Sequence, residues 1–148
     1  MGIFGSVKTD KFADKIECVA AKAGLKVIKA QDNLVSAVFR CDGGRTQSVM
    51  LAPVGELAGC TVVSIFSPAA PIDGPLSQDL ANRLLQENGN HKIGYWSVIS
   101  GIAGKTVLGI EHSMILDTLD PEELNIVLNV VADEADKLEK ELTGKDNF

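Results

Sequence analysis

Residues 34–66 read LVSAVFRCDGGRTQSVMLAPVGELAGCTVVSIF, and this stretch predicts three antiparallel strands in succession. The runs Leu34–Cys41 and Cys60–Phe66 are rich in β-branched and aromatic residues, which favour strands. Asp42–Gly44 predicts a tight hairpin turn, because glycine accepts the positive φ that such turns need. Pro53 lacks an amide proton and predicts the end of the second strand. The segment as a whole predicts an antiparallel meander.

Three helices are predicted around this meander from apolar residues spaced three and four apart. The first runs from about residue 9 to residue 23. The second runs from about 76 or 77 to 88, with its buried side marked by Leu80, Leu84 and Leu85. In the last helix, Asp120 is the expected N-cap and Pro121 the first helical residue. This helix is expected to end near residue 142, before a glycine.

The remaining segments complete a single α+β domain. The proline-rich stretch SPAAPIDGP, residues 67–75, is interpreted as a turn-rich connector. Two further strands, YWSVIS and KTVLGIEHSMI, flank the glycine-rich turn GIAG. The predicted order is therefore helix, three antiparallel strands, helix, two strands, helix. We expect one domain over residues 9–142, an N-terminal arm at 1–8 and a C-terminal tail at 143–148.

Charge and cysteine content argue against several classes of protein. The formal net charge of −6 is unlike that of a general nucleic-acid binder, which clusters basic residues against phosphates. No apolar stretch approaches the ~20 residues that span a bilayer. Cys18, Cys41 and Cys60 are odd in number, so we interpret them as reduced core residues and expect a cytoplasmic location. The start MGIFGS matches a loose myristoylation pattern, but we favour an arm whose Ile3 and Phe4 pack on the domain.

Motifs that resemble catalytic or metal-binding sites do not hold up, and we expect no cofactor, metal or catalytic residue. The string GIAGKT lacks the upstream glycine of a phosphate-binding loop, since Ile99 stands at that position, and a strand follows it instead of a helix. His91 and His112 lack a metal-ligand spacing and are interpreted as surface residues. Glu139 and Glu141 are interpreted as part of a solvated helix face.

Alternation along the strands suggests a partner-binding surface. The strand Cys60–Phe66 is apolar on both faces, with Val62 and Phe66 on one side and Val63 and Ile65 on the other. A strand that is apolar on both faces is covered twice, and the second cover could be a partner or the domain's own terminal segments. Tyr95 and Trp96 are adjacent on a strand and must point to opposite faces. The candidate partner-binding residues are Val62, Val63, Ile65, Phe66 and Trp96.

The segments Leu80–Val98 (LANRLLQENGNHKIGYWSV) and Asp120–Leu138 (DPEELNIVLNVVADEADKL) carry a resemblance to a known family. With the order of elements, they resemble the YbjN-like bacterial proteins of the type III secretion chaperone-like fold. The resemblance implies a non-enzymatic α+β protein, commonly a homodimer. It also implies that apolar grooves hold an extended segment of a client protein, or that the protein has a regulatory role. The SPAAPIDGP connector departs from the family pattern near the second helix.

Two functional hypotheses follow. The first is a protein-binding module that buries apolar side chains of a client, with strand addition at a free sheet edge as a further contact. The alternative is a small-ligand-binding or enzymatic domain with a pocket between the sheet and the helices. A large exposed apolar surface favours the first hypothesis, and a well-formed cavity favours the second.

Overall fold

The structure, a computed structural model, describes residues 10–148, so the expected arm at 1–8 and its MGIFGS motif lie outside the described residues. The α-helices span Asp10–Lys22 (α1), Gln78–Asn90 (α2) and Pro121–Thr143 (α3). The strands span Ile28–Gln31 (β1), Leu34–Arg40 (β2), Thr46–Leu57 (β3), Cys60–Pro71 (β4), Tyr95–Ile102 (β5) and Lys105–Ile115 (β6). This order confirms the α+β class and the positions of all three helices.

All described strands form one antiparallel sheet in the order β1-β2-β3-β4-β6-β5. Four strands precede α2, one more than predicted. The added strand, β1, is four residues long and exposed along its length. The run LKVIK is strand-like in sequence but so short that it could equally lead only into a turn, and it becomes a strand because Ile28 and Lys29 pair with Ser36 and Val35 of β2.

β3 and β4 are longer than predicted, because prolines lie inside them. The register of β3 shifts between Pro53 and Gly55, and that of β4 shifts between Pro68 and Ala70. Each shift is a β-bulge, which accommodates a residue without an amide proton and lets the ladder continue. The connector interpretation of SPAAPIDGP is therefore wrong for its first half, which is strand.

The core lies between one face of the sheet and the helices α1 and α3. It contains Phe12 and Ile16 of α1, Leu124 and Leu128 of α3, and Ile65 of β4, all fully buried. The start of α3 is as predicted, since the Asp120 carboxylate accepts a hydrogen bond from the Glu123 amide at 2.9 Å. Gly144 ends the helix with φ 65°, the left-handed conformation that glycine favours.

Three side-chain predictions are wrong, and each error follows from where the elements pack. Leu85 is 68% exposed because α2 lies at the β5 edge and buries only Leu84 fully. Glu139 is fully buried, since Arg45 and the backbone amide of Asn147 both bond to its carboxylate. The cysteines are not core residues: Cys18 is exposed, and Cys41 and Cys60 lie half-buried at strand ends.

Candidate partner-binding groove and concave sheet face

The five candidate residues separate onto different surfaces. Val63 and Ile65 are fully buried beneath the helices, where they form part of the domain's own core. Val62 and Phe66 lie on the opposite face of β4, and Phe66 is 8% exposed. Trp96 is 7% exposed and lies beneath α2. A partner could therefore reach only Val62, Phe66 and Trp96 of the original set.

Trp96 forms the floor of a groove between α2 and β5. The groove has a volume of about 220 Å³, and its lining includes Leu84 and Leu108. Leu85 and Val98 also line it, and they are 68% and 53% exposed. The groove is therefore a small apolar surface that is open to solvent, with Leu85 and Val98 on its rim.

The Asn88 side chain fixes α2 to the start of β5. Its Oδ1 accepts from the Trp96 amide at 2.5 Å, and its Nδ2 donates to the Trp96 carbonyl at 3.1 Å. The Trp96 indole Nε1 donates to Glu87 Oε2 at 2.9 Å. These bonds orient the ring beneath α2, while Tyr95 projects from the other face and is 42% exposed, as the alternation predicts.

The same hydrogen bonds show that the outer edge of β5 is open for pairing at Val98. Because the Trp96 amide and carbonyl bond to Asn88, they point away from β6. In an antiparallel strand this direction repeats every second residue, so the amide and carbonyl of Val98 also point outward. β5 ends the sheet, and no described residue pairs with the outer edge at Val98. The groove therefore lies beside an open strand edge.

The face of the sheet opposite the helices is concave. A cavity of about 480 Å³ on this face is lined by residues from all six strands, including Gln31 of β1 and Ile99 of β5. In a flat sheet the edge strands of six would lie roughly 24 Å apart. Both edges can line one cavity because the sheet curls, with bulges in β1, β3, β4 and β5 adding twist.

Glu111 is the single charged residue among those that line this cavity. It stands opposite Phe66 in the β4–β6 register. The Ser64 hydroxyl donates to Glu111 Oε1 at 3.2 Å, and Ser64 is 5% exposed. Sequence reasoning missed this carboxylate. The signal was its position inside the apolar run KTVLGIEHSMI.

A third cluster joins the start of β3 to α3. Arg45 Nε donates to Asp136 Oδ1 at 2.6 Å, and Arg45 Nη2 donates to Glu139 Oε2 at 3.3 Å. Carboxylate oxygens of Asp136, Glu139 and Asp146 lie within 4.8 Å of one another, a spacing that a metal ion could bridge. The Arg45 guanidinium already supplies positive charge there, so the cluster is explained by packing alone.

Burial controls the protonation of groups in and near this cluster. It raises the pKa of Glu139 above its ordinary value, despite the opposing effects of the Asn147 amide and Arg45. Burial, with the Asp136 charge, raises the pKa of the Cys41 thiol to about 11. Because a protonated thiol is a poor nucleophile, Cys41 is not poised for covalent chemistry.

Both histidines lie at the surface and are partly enclosed by neighbouring groups. His112 Nδ1 accepts from the Gly94 amide at 3.2 Å, and burial lowers the pKa of His112. The His91 ring packs against Trp96 with a centroid distance of 5.9 Å, and 17% of its side chain is exposed. Both histidines therefore remain partly exposed at the surface, where the Gly94 amide engages His112 and the Trp96 ring packs against His91.

Within residues 10–148, no helix has the length and apolar character needed to cross a membrane.

No family model and no curated protein matches the chain. One similar solved structure is that of "the heterodimeric complex ExoU-SpcU from the type III secretion system (T3SS) of Pseudomonas aeruginosa". The TM-score is 0.51 at 18% sequence identity, with 88% of this chain and 99% of that chain covered. An identity this low carries the fold and nothing finer. The fold is thus α+β and type III secretion chaperone-like, as the resemblance implies.

Proposed function

We propose that this protein is a non-enzymatic, chaperone-like or regulatory module that holds an extended segment of another protein in the groove between α2 and β5. The observation that carries this proposal is the juxtaposition of an open strand edge at Val98 with exposed apolar side chains. The shared fold with a chain of a heterodimeric complex is in keeping with it.

The groove suits one kind of occupant, an extended apolar segment. Such a segment would add to the outer edge of β5, where backbone hydrogen bonds supply affinity. Its alternate side chains would cover Leu85 and Val98 above the Trp96 floor. Asn88 already satisfies the backbone of Trp96, so the added strand would begin beyond that residue.

Three finer features of the proposal come from the sequence. The resemblance to YbjN-like proteins favours a homodimer, and the free cysteines favour a cytoplasmic location. Val62 and Phe66 lie outside the groove, so we propose them only as a secondary contact. The dimer would be expected at twice the chain mass of 15.7 kDa in light scattering coupled to gel filtration.

To identify what binds the groove, a photo-crosslinking amino acid is placed at Val98 in protein expressed in the cells that normally make it. We expect crosslinks to one extended segment of a different protein, identified by mass spectrometry. The corresponding synthetic peptide should bind the purified protein in calorimetry. The variant Leu85→Glu should weaken that binding at least ~10-fold, because it places a charge in an apolar contact.

Val38→Glu is the matched control, since Val38 is 63% exposed on β2, away from the groove. It should leave peptide binding unchanged. If Val98 crosslinks only to a second copy of the chain, the groove does not hold a client protein and is instead the contact between two copies of this chain. If the Leu85→Glu and Val38→Glu variants bind the peptide equally well, the peptide does not bind in the α2–β5 groove.

A further inference from the structure

The concave cavity has the composition of a small-ligand site. Its volume of about 480 Å³ lies in the range of ligand pockets, roughly 300–1,000 Å³. Its apolar lining includes Leu34, Met50, Phe66 and Ile102. These side chains would bury an aliphatic body, and the polar residues Gln31, Asn33, Ser64 and Ser100 complete the lining around them.

One carboxylate supplies the polar contact. Ser64 donates to Glu111 Oε1, and within residues 10–148 no hydrogen bond or salt bridge engages Oε2. A carboxylate accepts hydrogen bonds and pairs with cations. A complementary ligand therefore carries a positively charged group with N–H donors, and its apolar part lies along the concave cavity.

The turn between β5 and β6 closes one end of this cavity. The register of β5 shifts between Ser100 and Ile102, and Gly101 has φ 89°, which side chains rarely adopt. A bulge of this kind redirects the strand and its side chains. Ile102 and Ala103 consequently line the cavity.

The lining strands favour a small molecule over a peptide. β2, β3, β4 and β6 each pair with neighbours on both sides, so their backbone groups are engaged within the sheet. A peptide laid in this cavity would bury amides and carbonyls without partners, which is costly. An aliphatic amine has one polar group, and Glu111 matches it.

We propose that the concave face binds a small aliphatic amine, with its ammonium on Glu111 and its alkyl chain against Phe66, Met50 and Ile102. This site is separate from the α2–β5 groove and shares with the proposed partner contacts only the secondary residue Phe66, so it does not depend on the proposed protein-binding function.

Titration of the full chain with octylammonium, octanol and octanoate tests the site, followed by calorimetry and methyl NMR. Octylammonium should bind about 10-fold more tightly than octanol, because the charge-assisted contact adds to the same apolar burial. Octanoate should bind more weakly than octanol. NMR shifts should centre on Met50, Ile99 and Ile102.

Glu111→Gln should bind octylammonium and octanol equally, and Glu111→Asp should keep the preference for the amine. Glu17→Gln removes the same charge from an exposed helix position and should change nothing, which controls for general attraction to an acidic protein. Leu85→Glu should also bind octylammonium normally. Binding unaffected by Glu111→Gln, or octanoate as tight as octylammonium, would overturn the proposal. A lysine-containing peptide that binds where octylammonium does not would also overturn it.

Discussion

Arg45 donates a 2.6 Å hydrogen bond to the Asp136 carboxylate and thereby links the start of β3 to the middle of α3, 91 residues away in the chain. The Arg45 side chain is 14% exposed and that of Asp136 is 7% exposed. Glu139, whose side chain is fully buried, accepts from the same guanidinium. One cation thus compensates two carboxylates beneath the helix.

Removal of Arg45 should destabilise the fold strongly. Arg45→Ala leaves two buried carboxylates without their cation, and breaking a buried pair in this way costs about 3–5 kcal/mol. Arg83→Ala is the control, because Arg83 pairs with Glu87 and Glu141 at an exposed site. It should cost about 0–1 kcal/mol. Urea unfolding measures both, and equal losses would contradict the expectation.

Gly109 should not tolerate a side chain. A Cβ at this position would lie 2.6 Å from the Ser67 carbonyl oxygen and 2.9 Å from Ile99 Cδ1. Overpacking of this kind costs about 1–3 kcal/mol in Gly109→Ala. In Gly89→Ala, within α2, the new Cβ meets nothing within 4 Å, and we expect a gain of about 0.5–1 kcal/mol. Thermal unfolding of the two variants should shift in opposite directions.

Acidification should destabilise the protein through His112. Burial lowers the pKa of His112 in the folded chain below its ordinary value of 6.5, while the unfolded chain keeps that value. The unfolded state therefore binds the proton more readily, and this contribution is lost as the pH falls below 6.5. His112→Asn keeps an acceptor for the Gly94 amide but does not titrate. Between pH 7 and pH 5 the wild type should lose free energy of unfolding relative to this variant.

Glu139 should act in the opposite sense. Burial raises the pKa of Glu139 in the folded chain above its ordinary value of 4.5, so the folded state binds its proton more readily. The stabilising contribution is full below 4.5 and is lost as the pH rises through the raised value. Compared with Glu139→Gln, the wild type should lose free energy of unfolding as the pH rises from 4.5. A constant difference between the two proteins across this range would contradict the assignment.

The ends of α3 show which features can be predicted from the local sequence. Asp120, Pro121 and Gly144 mark its ends, because capping depends on residues within one turn of the helix end. The alternation of Tyr95 and Trp96 was equally predictable, since it follows from strand geometry. Pro53 and Pro68 led to wrong predictions of strand ends, because each lies beside a β-bulge. A bulge depends on pairing with the neighbouring strand, which the local sequence does not contain.

The two candidate sites depended on tertiary structure in different degrees. The sequence singles out Trp96 as a candidate partner-binding residue, but its groove exists only because α2 packs beside β5. Glu111 and Phe66 stand opposite each other through pairing of β4 with β6, which are separated by α2 and β5 along the chain. No spacing in the sequence records that register.

By itself the sequence determined the α+β class, the three helices with the caps of α3, and the meander, because each arises from periodicity and turn chemistry over a few residues. Tertiary structure alone decided that β1 joins the sheet, that Arg45 neutralises buried acids of α3, and that the sheet curls until both edges line one cavity. These features depend on residues distant in sequence, and only the folded chain brings those residues into contact.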